Sequence, residues 1–101
     1  MAQIRWSADA TRDLEEIAEY IAKDSPRYAK IVAGRLFESV DVLREFPQIG
    51  RIIPELQSTS RRELVVGNFR ILYRLKEDMC EILSVLHSKK DIWKFLESRE
   101  L

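Results

Sequence analysis

Cysteine occurs once in the chain, at Cys80, so no internal disulfide can close and a cysteine-rich metal site is excluded. Histidine also occurs once, at His87. Three glycines and three prolines are too few for a collagen-like, linker-like or low-complexity chain. Neither sign of charge is in excess, since 17 Lys/Arg face 17 Asp/Glu, which argues against a uniformly cationic nucleic-acid coat. No uncharged run approaches the roughly 18 residues of a membrane span. The N-terminus is charged from Arg5 onward and lacks the apolar stretch of a secretory signal. Gly-rich phosphate loops, HExxH, CxxC and Gly-x-Ser-x-Gly are all missing. These absences set the expectation: a soluble cytoplasmic protein, with no membrane association, no cofactor and no metal.

What is present is amphipathic and segmentally charged. The 101 residues suit one domain, 1–101, of which 91–101 reads as a short amphipathic tail. Residues 1–50 hold seven Lys/Arg against nine Asp/Glu. Residues 51–76 hold six Lys/Arg (Arg51, Arg61, Arg62, Arg70, Arg74, Lys76) against two acids, Glu55 and Glu63. An acidic first half and a basic centre hide behind the neutral total, and the basic centre points to a phosphate-facing or acid-facing surface.

The alternation in Gln3-Ile4-Arg5-Trp6 predicts a short half-buried strand. Ser7 can then cap a helix with Leu14, Ile17, Ala18 and Ile21 on one face and Asp13, Glu15, Glu16 and Glu19 toward water. Asp24-Ser25-Pro26 stops that helix and starts another, because proline at a first helical position lacks only an N–H that the turn does not use. Ala29, Val32, Ala33, Leu36, Phe37, Val40 and Leu43 give the second helix its apolar stripe, about 20 residues ending before Pro47. So short a connection favours an antiparallel helical hairpin. Pro47 to Ser60 reads as an ordered surface loop that buries Ile49, Ile52, Ile53 and Leu56. Leu64 and Val66, then Phe69, Ile71, Tyr73 and Leu75, alternate as strands do around a Gly67-Asn68 turn, which inverts the favoured Asn-Gly order and so assigns no turn type. Glu77-Asp78 makes a second turn into the nearly continuous apolar strand Cys80 to Leu86. The fold class is α+β, in the order β-α-α-β-β-β: a helical hairpin packed on one face of a small, curved, mostly antiparallel sheet.

Chemistry-bearing residues are few. Carboxylates pair only on the first helix, where solvated charge is the plain reading. Cys80 and His87 are roughly 23 Å apart along one strand and read as lying on opposite faces, so they form no dyad. Arg70 and Arg74 share a sheet face about 13 Å apart, with Leu72 between them. Arg62 on the neighbouring strand can join them, and His87 with Lys89-Lys90 follows the last strand. With Phe69, Ile71, Tyr73 and Leu75 supplying the core, Arg70 and Arg74 are expected on an open, concave side. Such a set can hold a phosphodiester, the guanidiniums stabilising developing charge and the imidazole moving a proton. The competing structural reading pairs Arg70 with a helix carboxylate. Ile92, Trp93, Phe95 and Leu96 are too apolar for a free end, so they either pack on the domain or meet a partner.

These residues carry a resemblance. Trp6-Ser7-Ala8-Asp9-Ala10 with Asp13-Leu14, Ile17 and Tyr20-Ile21 resembles the opening of the ParE-like toxins of the RelE/ParE superfamily. Asp24-Ser25-Pro26, Leu43-Arg44-Glu45-Phe46-Pro47 with Gly50-Arg51, and Pro54-Glu55-Leu56 follow at that family's spacing. Arg62-Glu63-Leu64, Phe69-Arg70-Ile71-Leu72-Tyr73-Arg74 and Ile82-Leu83-Ser84-Val85-Leu86-His87-Ser88-Lys89-Lys90-Asp91 are similar to its later blocks, with Phe69 where a Tyr is usual. The ordered set covers roughly residues 4 to 93.

The resemblance implies the toxin of a type II toxin–antitoxin pair, of the plasmid-stabilisation kind, neutralised by a cognate antitoxin in a hetero-oligomer. Two activities occur in the superfamily: ribosome-dependent mRNA cleavage in RelE-type members and DNA gyrase inhibition in ParE-type members. A tyrosine after the basic turn is lacking here, Trp93 being the nearby aromatic, and Gln57-Ser58-Thr59-Ser60 lacks the lysines of the ribonuclease branch. The expectation is therefore a gyrase inhibitor that works by binding, with no catalytic residue. Its contact set is Lys89, Lys90 and Trp93 with their neighbour His87, then Arg51, Arg62, Arg70 and Arg74. The alternatives are an endoribonuclease acting on ribosome-bound mRNA through Arg62, Arg70, Arg74 and His87, or a degenerate member that only binds its antitoxin.

Overall fold

The computed structural model describes residues 1–56, 58–90 and 92–99, so Gln57 of the central loop and Asp91, Glu100 and Leu101 of the tail lie outside the described residues. Strand β1 (Gln3–Trp6) leads into helices α1 (Ala8–Ala22) and α2 (Pro26–Ser39), followed by a 3₁₀ turn (Val40–Arg44). Strands β2 (Arg51–Ile52), β3 (Arg61–Val66), β4 (Phe69–Lys76) and β5 (Met79–His87) come next, and α3 (Ile92–Glu97) closes the order. The fold is α+β as the patterning implies. Among the described residues its sheet has five strands in the order β1-β5-β4-β3-β2, with β1 parallel to β5 and every other pair antiparallel. The two-residue β2 and the short α3 are additions to the expected order.

Local chemistry sets the element ends. Ser7 Oγ accepts from the Ala10 amide at 3.0 Å, and Ser25 Oγ accepts from the Tyr28 amide at 3.1 Å, with Pro26 opening α2. The second helix is α-helical only to Ser39; its last turns tighten to 3₁₀ before Pro47. At the hairpin turn Gly67 adopts φ 58° while Asn68 does not, the φ pattern of a type II′ turn with glycine first.

The main core lies between the hairpin and one sheet face. Leu36, Val40, Leu43, Ile71, Tyr73 and Ile82 are its largest buried members. Phe37 departs from the expected stripe: it is exposed and stacks on Trp6 with ring centroids 5.5 Å apart. In the central loop Ile53 is buried and Leu56 half-buried, but Ile49 and Ile52 face solvent.

Two departures matter for the site. The register pairs Leu72 with Ser84 but Tyr73 with Ile82, so Leu83 is an extra residue in β5. That bulge flips the alternation, placing Cys80, Ile82 and Val85 together in the hairpin-side core. His87 therefore shares the face of Cys80 instead of opposing it. The two still sit at opposite ends of the ladder, Cys80 beside Leu75 and His87 beside Phe69. Further, the face expected to be open carries a second core. Ile53 from the loop and Ile92 and Phe95 from α3 cover Leu72 and Leu86.

Candidate functional site

On that second face Arg70 is 8 % exposed and lies between two carboxylates. Its Nε donates to Glu63 Oε2 at 2.5 Å and its Nη2 to Glu55 Oε1 at 2.9 Å. Arg51, across from Glu63 on β2, donates from Nε to Glu63 Oε1 at 2.5 Å. Glu63 is thus held from both sides, its side chain having no exposure at all. Charges alternate Arg51–Glu63–Arg70–Glu55, and the chain of bonds staples the loop at Glu55 to β3 and β4. The electrostatics follow. The hydrogen bond from Arg70 holds the Glu55 carboxyl below its ordinary value, against the effect of burial. Burial opposes the Arg70 charge, yet the bonds it donates to Glu55 and Glu63 outweigh it and raise its pKa.

The expected open basic face is corrected here. Arg70 and Arg74 do share the face away from the hairpin, as a four-residue strand spacing requires. Arg70 is not on an open surface, because burial of Leu72 and Leu86 under α3 brings the loop over it. Its partners are a strand and a loop carboxylate, not a helix carboxylate. Arg74 is half-buried and donates to Glu81 Oε1 at 2.6 Å on the neighbouring strand. Arg62 points the other way: it pairs across from Tyr73, and its Nη1 caps the carbonyls of Gln48 at 3.1 Å and Gly50 at 2.9 Å. The arginine beside Arg74 is Arg61, its direct cross-strand neighbour.

His87 is exposed at the end of β5, edge-on to Phe69 at 5.5 Å, and its Nδ1 accepts from the Lys89 amide at 3.1 Å. Lys89 and Lys90 are exposed, and Lys90 Nζ sits 4.9 Å over the Phe95 ring. Trp93 is 59 % exposed while its helix neighbours Ile92 and Phe95 are buried, so the tail docks and presents its tryptophan outward. The candidate set thus separates. Lys89, Lys90 and Trp93 cluster at the tail, Arg51, Arg70 and Arg74 are spent on carboxylates, and Arg62 and His87 lie toward the hairpin side.

Asp13 is the residue that periodicity most clearly misplaces. It is buried, not solvated. Its Oδ2 accepts from the Val85 amide at 3.0 Å, and Arg99 grips both its oxygens at 2.7 and 2.6 Å while also donating to Ser84 Oγ at 2.9 Å. The hydrogen bonds that Arg99 donates to Asp13 raise the Arg99 pKa. Sequence held one signal for Glu63, a carboxylate inside a strand next to an arginine-bearing strand, where opposite charges pair. Asp13 carried none, since it falls on the helix with three exposed acids. A groove of about 530 Å³ opens beside it, walled by Ile17, Tyr20 and Ile21 of α1 and by Phe69 and His87 at the strand ends. Among the described residues no group of three His, Cys, Asp or Glu is placed to hold a metal. No helix among them is long and apolar enough to cross a membrane.

The family model for the ParE toxin of the type II toxin–antitoxin system parDE matches residues 4–92. The chain belongs to the ParE toxin family. Y4kP of Sinorhizobium fredii, a toxin by name, is 43 % identical over 88 residues, covering 85 % of this chain and 88 % of its own. Toxin RelE2 of Caulobacter vibrioides is 33 % identical over 90 residues, covering 89 % of this chain and 99 % of its own. Among solved structures, the chromosomal ParDE system of P. aeruginosa superposes with a TM-score of 0.75 at 23 % identity, covering 88 % of this chain and 98 % of that one. The RelBE2 complex of Mycobacterium tuberculosis gives 0.55 at 23 % identity, covering 85 % and 96 %. At that identity the structural likeness speaks for the fold: this ParE-family chain has the same helices-on-sheet architecture.

Proposed function

We propose that this ParE-family protein, acting as one unit over residues 1–101, inhibits DNA gyrase by binding and is neutralised by a cognate antitoxin. Gyrase as target puts its work in the cytoplasm. The observation that carries the reading is the disposition of the cations. An RNA-cutting surface needs unpaired guanidiniums and a proton-moving group facing one scissile phosphate. Here Arg70 is buried between Glu55 and Glu63, Arg74 is paired to Glu81, and Arg62 and His87 lie toward the hairpin side. What is left exposed is a binding surface, Lys89 and Lys90 beside an outward Trp93. Tryptophan is among the anchors that dominate protein–protein contacts, and lysines at its side steer an acidic partner onto it. Arg51 remains a secondary contact through its 60 % exposed side chain, whereas Arg70 and Arg74 pass from the contact set to the framework.

The test uses the purified chain in two assays, gyrase supercoiling and a translating extract. Loss of supercoiling with ribosome-bound mRNA intact is the expected result, and Trp93→Ala should relieve the inhibition. Codon-specific mRNA cleavage without any effect on gyrase overturns the reading in favour of the ribonuclease. In that case His87→Ala should slow cleavage by roughly 10²–10⁴-fold, as loss of general acid–base catalysis does.

A further inference from the structure

Helix α2 and the 3₁₀ turn after it carry two rows of side chains. The inner row, Ala29, Leu36, Val40 and Leu43, is buried. The outer row is Tyr28, Ile31, Arg35, Glu38, Val42 and Glu45, and every member of it is exposed. Its spacing alternates three and four residues, the repeat by which one helix presents a seam to another. From Tyr28 to Val42 the row runs about 20 Å, at a rise of about 1.5 Å per residue. A solvated helix face is ordinarily polar. Here Tyr28, Ile31 and Val42 are 56 %, 54 % and 39 % exposed.

Charge along this side of the helix is ordered. Arg27 and Arg35 come first, Glu38 and Glu45 after them. None of the four has an ion-pair partner among the described residues. Arg35 and Glu38 sit one turn apart with the arginine first, the weaker order for a pair within one helix, and they make none. A positive half followed by a negative half is complementary to its own reverse. In an antiparallel pair centred between Arg35 and Glu38, symmetry sets Arg35 opposite Glu38 twice, Ile31 opposite Val42 on either side, and Tyr28 opposite Glu45 at the ends. Gly34 borders the row near that centre. A Cβ there would meet nothing within 4 Å in this chain, so the fold itself does not call for a glycine, which weakens a helix. A second helix lying close against it does. We infer that two copies of this chain associate through α2, antiparallel about a two-fold axis between Arg35 and Glu38. The contact uses none of Lys89, Lys90 and Trp93, so each dimer carries that surface twice. One helix pair buries less than the roughly 1,200 Å² of a stable complex, which places the association in the micromolar range.

Sedimentation equilibrium of the purified chain over a concentration series tests this. A monomer–dimer equilibrium that weakens with added salt is expected, because the central pairs are between surface charges. Arg35→Glu sets carboxylates against Glu38 of the other copy, and Glu38→Arg sets guanidiniums against Arg35. Both positions are exposed, so each variant should keep the wild-type circular-dichroism spectrum. Alone, each should self-associate at least about 10-fold more weakly, as like charges placed across an interface do. Mixed in equal amounts the two variants should pair again, since each supplies the charge the other lacks, and a folding defect would not be repaired by mixing. A chain that stays monomeric throughout overturns the proposal. Dimers that form equally well in both variants assign self-association to another face and overturn it too, and a mixture that stays monomeric overturns the antiparallel register. A monomeric chain whose Ile31→Asp variant loses affinity for the product of the adjacent open reading frame gives the row to the antitoxin and likewise overturns the pairing of copies.

Discussion

Arg70 shows how one residue changes role when its surroundings are fixed. An arginine at an alternate strand position is equally fit to meet a phosphate or a carboxylate, and only its neighbours decide. With Glu63 wholly buried against it, Arg70→Ala leaves that carboxylate with Arg51 alone and removes the partner of Glu55. The variant should lose about 3–5 kcal/mol, the usual result of breaking a buried pair. A urea denaturation curve reads this as a lowered midpoint. Glu55 gives a pH signature at the same place. Its carboxyl is held below its ordinary 4.5, so the unfolded chain takes up the proton first on acidification. The stabilisation from Glu55–Arg70 is therefore full above about pH 5 and is lost as pH falls below 4.5 through the lowered folded value. Comparing melting temperatures of the wild type and Glu55→Gln across pH should show a gap at pH 7 that closes in acid. Arginine does not titrate in this range and adds nothing to the slope.

At the scale of elements, the two hairpin turns are both two residues long but carry different strain. Gly67 has φ 58° and Glu77 has φ 57°, a left-handed backbone that costs about 1–2 kcal/mol for a residue with a Cβ. Glu77→Gly should accordingly raise the unfolding midpoint, offset in part by the added freedom of the unfolded chain. Gly67→Ala should lower stability by about 1 kcal/mol although the space around it is open. The tail and α1 are joined through Asp13. Asp13→Ala orphans the Val85 amide and leaves the Arg99 guanidinium its bond to Ser84 Oγ but no counter-charge, so a cost of about 3–5 kcal/mol is expected. Arg99→Ala leaves Asp13 its bond to Val85 and should cost clearly less. A reversal of that order in chemical denaturation would show that the tail, not the capped strand edge, is what Asp13 holds.

At the scale of the molecule, a partner that binds only the folded toxin must stabilise it by mass action. With antitoxin at about 100 times its Kd the gain is about 2.7 kcal/mol, visible as a concentration-dependent rise in melting temperature. Equal thermal stability and equal soluble yield with and without the adjacent gene product would count against the pairing. The sequence by itself determined the order of the two long helices and of β1, β3, β4 and β5, because helix and strand periodicities, the Ser7 and Ser25 caps and the turn glycine are local signals. The main core followed from the same alternation, which put Ile71 and Tyr73 toward the helices. What one strand cannot report is its neighbour. Whether Arg62 or Arg61 joins Arg74 depends on register, and whether Asp13 meets water depends on where β1 stops and the tail returns. Leu83 as a bulge, the second core under α3 and the pairing of Arg70 with Glu63 likewise arise from segments distant in sequence. Those contacts form only when the chain closes on itself, so tertiary structure alone decided which charges were framework and which stayed free to bind.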